Sequence, residues 1–302
     1  MRGKPGYLLL AQTGELKKRA DDAREFLKNC RLCPQLCGIN RTVGEKGICR
    51  AGDSILVSSV TPHFGEEKVL VGKKGSGTIF FGLCNLKCVF CQNYELSHFG
   101  EGHKITVEQF ADAMLQLQDL GCHNINFVSP THFAAQIVQA VAIAADMGLN
   151  IPLVYNTGGF DSIETLKLLV GIIDIYMPDV KFWDEGKAYL YLKAKGYPKV
   201  MKAAIKEMHR QVGDLKIDEN GLAYKGLLVR HLVMPRGLAG TKEIMIFLAQ
   251  EISPSTYVNI MGQYQPCYLA KDFPELNRAI TRKELMDAVR LAEEAGLTRI
   301  IF

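Results

Sequence analysis

The 302-residue chain is long enough for one large domain or for one domain with an appendage, and 48% hydrophobic content supports a substantial core. Its 36 basic and 32 acidic residues are interspersed and leave a net charge of +4, which provides neither a nucleic-acid stripe nor a polybasic membrane segment. The opening Met1-Arg-Gly-Lys-Pro5 lacks a signal peptide's apolar segment and no run approaches membrane-spanning length, so nine cysteines point to metal binding in a reducing cytoplasm.

Residues 7 to 29 read as a surface helix, with Leu16, Ala20, Ala23 and Leu27 at helical spacing. A cysteine set follows, Cys30, Cys33, Cys37 and Cys49, in the arrangement C-x2-C-x3-C-x11-C. Four soft ligands complete a first shell for tetrahedral zinc, for a single iron or for an auxiliary 4Fe-4S cluster, and sulfur alone does not choose among them. Gly38, Gly44 and Gly47 suit the tight loops each would need. Ser54 to Val60 reads as a strand and Lys68 to Val71 as a second. The Gly-rich segment 72–77 then marks a boundary near residue 75, dividing an N-terminal Cys-rich appendage (1–75) from the main domain (76–302).

The main domain opens with a strand, Gly77 to Gly82, that runs into Cys84-Asn-Leu-Lys-Cys88-Val-Phe90-Cys91. Three thiolates on so tight a loop can ligate three irons of a cubic 4Fe-4S cluster and leave the fourth iron open for chemistry. The C-x3-C-x2-C spacing fits neither zinc-finger pairs nor the four-cysteine run of ferredoxins. Helices and strands then alternate: a helix over 106–120 with Thr106 as N-cap, strand 124–128, helix 133–147, strand 153–155, helix 161–170 and strand 172–177. A helical region from about 186 to 212, strand 226–233, helix 241–252, strand 257–260, helix 282–295 and a terminal Thr298–Phe302 complete the series. Short apolar strands joined by helices imply an α/β fold, a partial (β/α)6 TIM-like barrel of parallel strands.

In such barrels chemistry sits at the carboxyl ends of the strands, and polar clusters fall there: Ser129-Pro-Thr-His132, Asn156-Thr-Gly-Gly159, Met177-Pro-Asp179-Val-Lys181, Arg230-His231 with Met234-Pro-Arg236, and Met261-Gly-Gln263-Tyr264. Singly, several have structural readings: turn chemistry at Ser129-Pro130 and Asn156-Thr-Gly-Gly159, hydrogen-bonded histidines at 132 and 231. Asp179 and Lys181 share a face of an extended segment and could hold a zwitterionic ligand or pair with each other. Cys122 adjoins a buried strand and reads as packing, whereas Cys267 lies near the rim.

With Phe90 before its last cysteine, the 84–91 run resembles the C-x3-C-x-aromatic-C signature of the radical S-adenosylmethionine (SAM) superfamily. Residues 77 to about 265 resemble that superfamily's partial barrel, nearest to the pyruvate formate-lyase activating enzyme and its uncharacterised relatives. The segments His63-Phe-Gly-Glu66-Glu67, Gly75-Ser-Gly-Thr-Ile-Phe-Phe81 and Cys91-Gln-Asn93, and the N-terminal cysteine set, are similar to that uncharacterised branch. The resemblance implies that Cys84, Cys88 and Cys91 hold a 4Fe-4S cluster that binds SAM and cleaves it reductively to methionine and a 5'-deoxyadenosyl radical. It implies SAM contacts for Lys181, from an Asp-x-Lys element, and for Arg230. It also implies a monovalent-cation site at Asn156, Thr157, Met177 and Asp179, with Asn156 where the activating enzyme has aspartate. Ser129-Pro-Thr-His132 departs from the family's Gly-Gly-Glu-Pro.

The implied partners are SAM, a reductant such as flavodoxin or ferredoxin, and a protein substrate from whose glycine hydrogen is abstracted. A peptide or small-molecule substrate is the second reading. A third, of another class, is a non-catalytic iron-sulfur or zinc protein serving electron transfer or structure.

Overall fold

The computed structural model describes residues 3–302; Met1 and Arg2, part of the stretch read above for a leader, lie outside it. Two helices come first, α1 (Gly6–Gln12) and α2 (Glu15–Lys28), and α2 buries Leu16, Ala20, Ala23 and Leu27. The next 26 residues hold one short helical turn, Arg41–Val43, before strand β1 (Ile55–His63). A single turn of helix, α3 (Lys68–Val71), occupies the segment expected as a second strand. The apolar, β-branched run Val69-Leu-Val71 suggests a strand, but the Leu70 and Val71 amides both hydrogen-bond the Glu67 carbonyl, and Leu70 is wholly buried.

The barrel sequence then runs β2 (Ser76–Phe81), β3 (His103–Ile105), α4 (Val107–Asp119), β4 (Ile125–Val128), α5 (Ala134–Asp146), β5 (Leu153–Thr157), α6 (Ile163–Leu168) and β6 (Ile175–Pro178). It continues with α7 (Glu185–Leu192), α8 (Tyr197–Val212), β7 (Lys216–Ile217), β8 (Ala223–Leu232), α9 (Thr241–Phe247), β9 (Tyr257–Met261), α10 (Arg282–Glu294) and β10 (Arg299–Ile301). The expected helical region 186–212 is two helices, interrupted where Lys193 (φ 56°) and Gly196 (φ 71°) turn left-handed. Thr106 caps α4 through a reciprocal bond pair with Gln109, and Thr281 caps α10 in the same way with Glu284.

Strand order is β10-β9-β8-β6-β5-β4-β2-β1-β3, with β7 beside β8. The six strands β2, β4, β5, β6, β8 and β9 are mutually parallel, which is the expected partial barrel; β1 extends the sheet antiparallel to β2. Registers Phe80–Val128, Val128–Asn156 and Asn156–Met177 set these residues at one level. One level deeper, Val154, Ile175 and Leu228 pack with Leu70, so α3 plugs the barrel from below. The N-terminal helices join the same core as α5, and Asp174 fixes their start by accepting from the Gly6 and Leu153 amides at 3.0 Å each. A Cβ on Gly6 would stand 2.5 Å from the Gly171 carbonyl oxygen, so this approach requires glycine. Among the described residues no helix is long and apolar enough to cross a membrane.

Candidate active site in the barrel mouth

The loop after β2 is held from every side. Leu83 turns left-handed at φ 70°, and the Lys87 and Val89 amides donate to Leu192 and Tyr191 (2.9 Å each). Asn85 donates to the Phe160 carbonyl (2.7 Å), and Leu269 N–H donates to Val89 (2.9 Å). These bonds set Cys84, Cys88 and Cys91 along one wall of a cavity of about 240 Å³ whose lining also includes Phe80, Asn156, Asp179, Lys181 and Arg230. Burial raises the Cys84 and Cys88 thiols above the usual range, so without a metal they stay protonated. The Leu86 amide donates to Cys84 Sγ (3.4 Å), and Cys91 Sγ lies 3.0 Å from the Ser97 hydroxyl. Three sulfur donors on one rigid loop fit the ligand chemistry of an iron-sulfur cluster.

Opposite the thiols stands a buried charge network. Arg230 donates through Nε to Asp179 Oδ1 (2.8 Å) and through Nη2 to Asn156 Oδ1 (2.7 Å), and Lys181 Nζ donates to Asp179 Oδ2 (2.8 Å). Burial alone would raise the Asp179 carboxyl, but Arg230 and Lys181 hold it below the usual carboxylate range. Both oxygens of Asp179 are thus taken by protein cations. Tyr197 sets the strand end beneath them: its hydroxyl donates toward the Gly158 or Asp179 carbonyl (3.0 and 3.1 Å) and accepts from the Lys181 amide (3.1 Å).

Sequence reasoning gave no role to Glu66, Glu67, Asp161 or Tyr197. Glu66 enters the cavity from the segment before α3 and stands 3.6 Å from Arg230 Nη1, while Glu67 accepts from Asn259 on β9 through both oxygens (2.8 and 2.9 Å). Asp161 is buried and accepts from Thr157 (2.7 Å), Thr131 (2.8 Å) and Tyr155 (3.2 Å). Thr157 therefore braces the loop through Asp161, and Met177 packs in the barrel interior. The two histidines have structural partners. His132 Nε2 bonds the Gly82 carbonyl (3.0 Å), and burial lowers its pKa to about 3; His231 bridges Val180 O and Thr241 Oγ1, with its pKa lowered to about 4. Cys122 is buried, whereas Cys267 is half-buried near Tyr264. A larger cleft, about 510 Å³, lies outside the barrel along residues 41–56 and 99–104; its lining includes no thiol, so chemistry rather than size marks the barrel mouth.

The family model for the radical SAM superfamily matches residues 78–229. The uncharacterized protein MJ0674 of Methanocaldococcus jannaschii is 34% identical over 295 residues, which cover 94% of this chain and 80% of that protein. Among solved structures the fold is similar to HydG, a maturase of the FeFe-hydrogenase (TM-score 0.50, 14% identity, 74% of this chain and 50% of that one). SuiB of Streptococcus suis bound to S-adenosylmethionine gives a TM-score of 0.49 at 13% identity, over 72% of this chain and 48% of that one. The chain spans about half the length of these two structures, and the likeness to HydG is one of fold. With the three-thiol loop inside the matched stretch and a relative along nearly its whole length, the chain belongs to the radical SAM superfamily.

Proposed function

We propose that this protein is an enzyme that binds a 4Fe-4S cluster through Cys84, Cys88 and Cys91, binds SAM beside it, and abstracts hydrogen from a substrate. One observation carries the reading: the three thiols and the Asn156–Asp179–Lys181–Arg230 network line the same cavity. When bound, the cluster supplies the electron that splits SAM into methionine and a 5'-deoxyadenosyl radical. The chain's own residues do the rest. Lys181 offers an ammonium near Cys88, suited to the carboxylate of the methionine end, and Asp179 fixes it there. Glu66, with one loose contact at 3.6 Å, remains free to accept from a donor group. Phe80, Leu86 and Phe90 line the cavity with apolar surface that restricts water around a radical.

An activase-like role, taking hydrogen from a glycine of a partner protein, is the finer reading, and it rests on the resemblance to activating enzymes. Protein reconstituted without oxygen should carry iron at the loop, show an EPR signal that changes on adding SAM, and yield 5'-deoxyadenosine on reduction. Cys88→Ser should lose all three. A Cys88→Ser protein that keeps both the SAM-sensitive signal and the nucleoside would refute the assignment.

A further inference from the structure

The N-terminal cysteines form a second thiol set with no part in the reading above. Cys30, Cys33 and Cys49 are each 7% exposed and Cys37 is half-buried, and all are free thiols. They converge: Cys30, Cys37 and Cys49 all lie close enough to the Cys33 thiol to influence its charge. The backbone around them is folded tightly, with Cys30 N–H donating to Ile39, Gly38 to Cys30 and Leu36 to Cys33 (2.8, 3.0 and 3.1 Å). A Cβ on Gly47 would stand 2.6 Å from Cys37 Sγ, so glycine lets the backbone two residues before Cys49 pass against that sulfur. Residues 29–54 contain a single three-residue helical turn, so little regular structure surrounds the four thiols.

Among the described residues no group of three or more His, Cys, Asp or Glu side chains is already gathered to hold a metal ion. A tetrahedral zinc site needs sulfurs about 3.8 Å apart, from metal–sulfur bonds of about 2.3 Å, whereas in a cluster each thiolate binds a different iron.

The second set adjoins the first. Gln35, between Cys33 and Cys37, donates to the carbonyl of Asn85, beside Cys84 (3.1 Å). Arg50, next to Cys49, donates to the His98 carbonyl, and His98 Nε2 bonds the Cys88 carbonyl (3.0 Å). The half-buried Lys87 lies near enough to feel Cys84 and Cys88 from the loop and Cys49 from the N-terminal set.

We propose that Cys30, Cys33, Cys37 and Cys49 hold an iron-sulfur cluster that relays single electrons to the Cys84–Cys88–Cys91 loop, across the contact where Gln35 meets Asn85 and Lys87 lies between the two sets. The proposal rests on the radical SAM reading of the loop. A low-potential flavin or iron-sulfur protein gives one electron to the N-terminal cluster, which passes it to the loop cluster and returns to its oxidised state. The electron ends on the sulfonium of SAM, where the carbon–sulfur bond breaks: methionine sulfur keeps a pair and the deoxyadenosyl carbon keeps one electron.

The test compares the full chain with Cys33→Ser/Cys37→Ser and with Cys84→Ser/Cys88→Ser/Cys91→Ser, each reconstituted without oxygen. The wild type should hold about twice the iron of either variant. Its fully reduced EPR spectrum should show magnetic interaction absent from the sum of the two variant spectra. Zinc in the N-terminal set, or a wild-type spectrum equal to that sum, overturns the relay; loss of the SAM-sensitive signal from wild type overturns the radical SAM reading instead. Lys87→Met keeps every ligand and guards against misfolding of the double variant. Removing this cation should shift both midpoint potentials to more negative values, and a shift confined to the loop cluster also overturns the relay.

Discussion

Glu67 and Asn259 clasp each other inside the barrel: the Asn259 amide lies 2.8 and 2.9 Å from the two carboxylate oxygens, joining the plug before α3 to the sixth parallel strand. Burial raises the Glu67 carboxyl, and the Asn259 bond works against that rise. Asn259→Ala removes the donor and leaves a buried carboxylate without it, which should cost about 1–3 kcal/mol at pH 7. A raised carboxyl binds its proton more tightly when folded, so the penalty should shrink as the pH falls and the group protonates. Urea unfolding of the pair of proteins at pH 7 and pH 5 measures both; an equal penalty at the two values argues against a charged Glu67.

Asp179 shows the opposite balance. Its carboxylate faces Arg230 and Lys181 at 2.8 Å each, and Asp179→Asn would leave two cations facing a neutral amide. Breaking such a buried pair costs about 3–5 kcal/mol. The carboxyl is held below its usual range, so its contribution is complete above the unfolded-state pKa and disappears as the pH falls through the folded one. Wild type should therefore lose stability on acidification below about pH 4, and the variant should lose less over the same interval. SAM retention in equilibrium dialysis should fall in the variant, because Lys181 loses the partner that orients it.

Asp174 gives a third pH signature, far from the cavity. Burial raises its pKa to about 6 despite the Gly6 and Leu153 amides that donate to it. Between the unfolded value and about 6 the folded state holds a proton that the unfolded chain has released, so stability falls as pH rises through that window and levels above it. Asp174→Asn should flatten this slope. It should also destabilise at every pH, since an amide cannot accept from two N–H groups on separate oxygens. Denaturant midpoints from pH 4 to 7 in both proteins decide it; a retained slope would assign the transition to another group.

The repeating part of the chain was legible because each strand is a short apolar run and helix starts carry local signals. Thr106 with Gln109 and Thr281 with Glu284 are local devices that need no tertiary knowledge. The spacing of Cys84, Cys88 and Cys91 is equally local, lying along eight residues, and the structure sets all three on one cavity wall. The plug was not. Lys68-Val-Leu-Val is a short apolar, β-branched run like a strand, and only the space beneath Val154, Ile175 and Leu228 explains why it curls and sends Leu70 inward. Glu66 and Glu67 travel with that plug into a site otherwise built from strand ends, so a search of strand ends passes over them. Asp161 was missed differently, since its partners are Tyr155 and Thr157 on β5 and Thr131 in the turn after β4, which only the fold unites.

Ser97 offers a direct probe of the loop. Its hydroxyl lies 2.8 Å from the Asn93 carbonyl and 3.0 Å from Cys91 Sγ, and while it donates to Asn93 the Cys91 thiol must be the donor of the second contact. A thiolate has no proton to give. On binding iron, Cys91 can keep the contact only if the Ser97 hydroxyl turns and donates to sulfur, and the turn is inexpensive because the Ser97 amide still satisfies Asn93 O (2.9 Å). Hydrogen bonds to cluster sulfur favour the reduced form, so Ser97→Ala should move the loop cluster's midpoint to a more negative value. A bond of about 1 kcal/mol corresponds to about 40 mV for one electron. EPR-monitored redox titration of the two proteins reads the shift directly. An unchanged midpoint would mean that Ser97 keeps its proton on Asn93 and that Cys91 ligates iron without it.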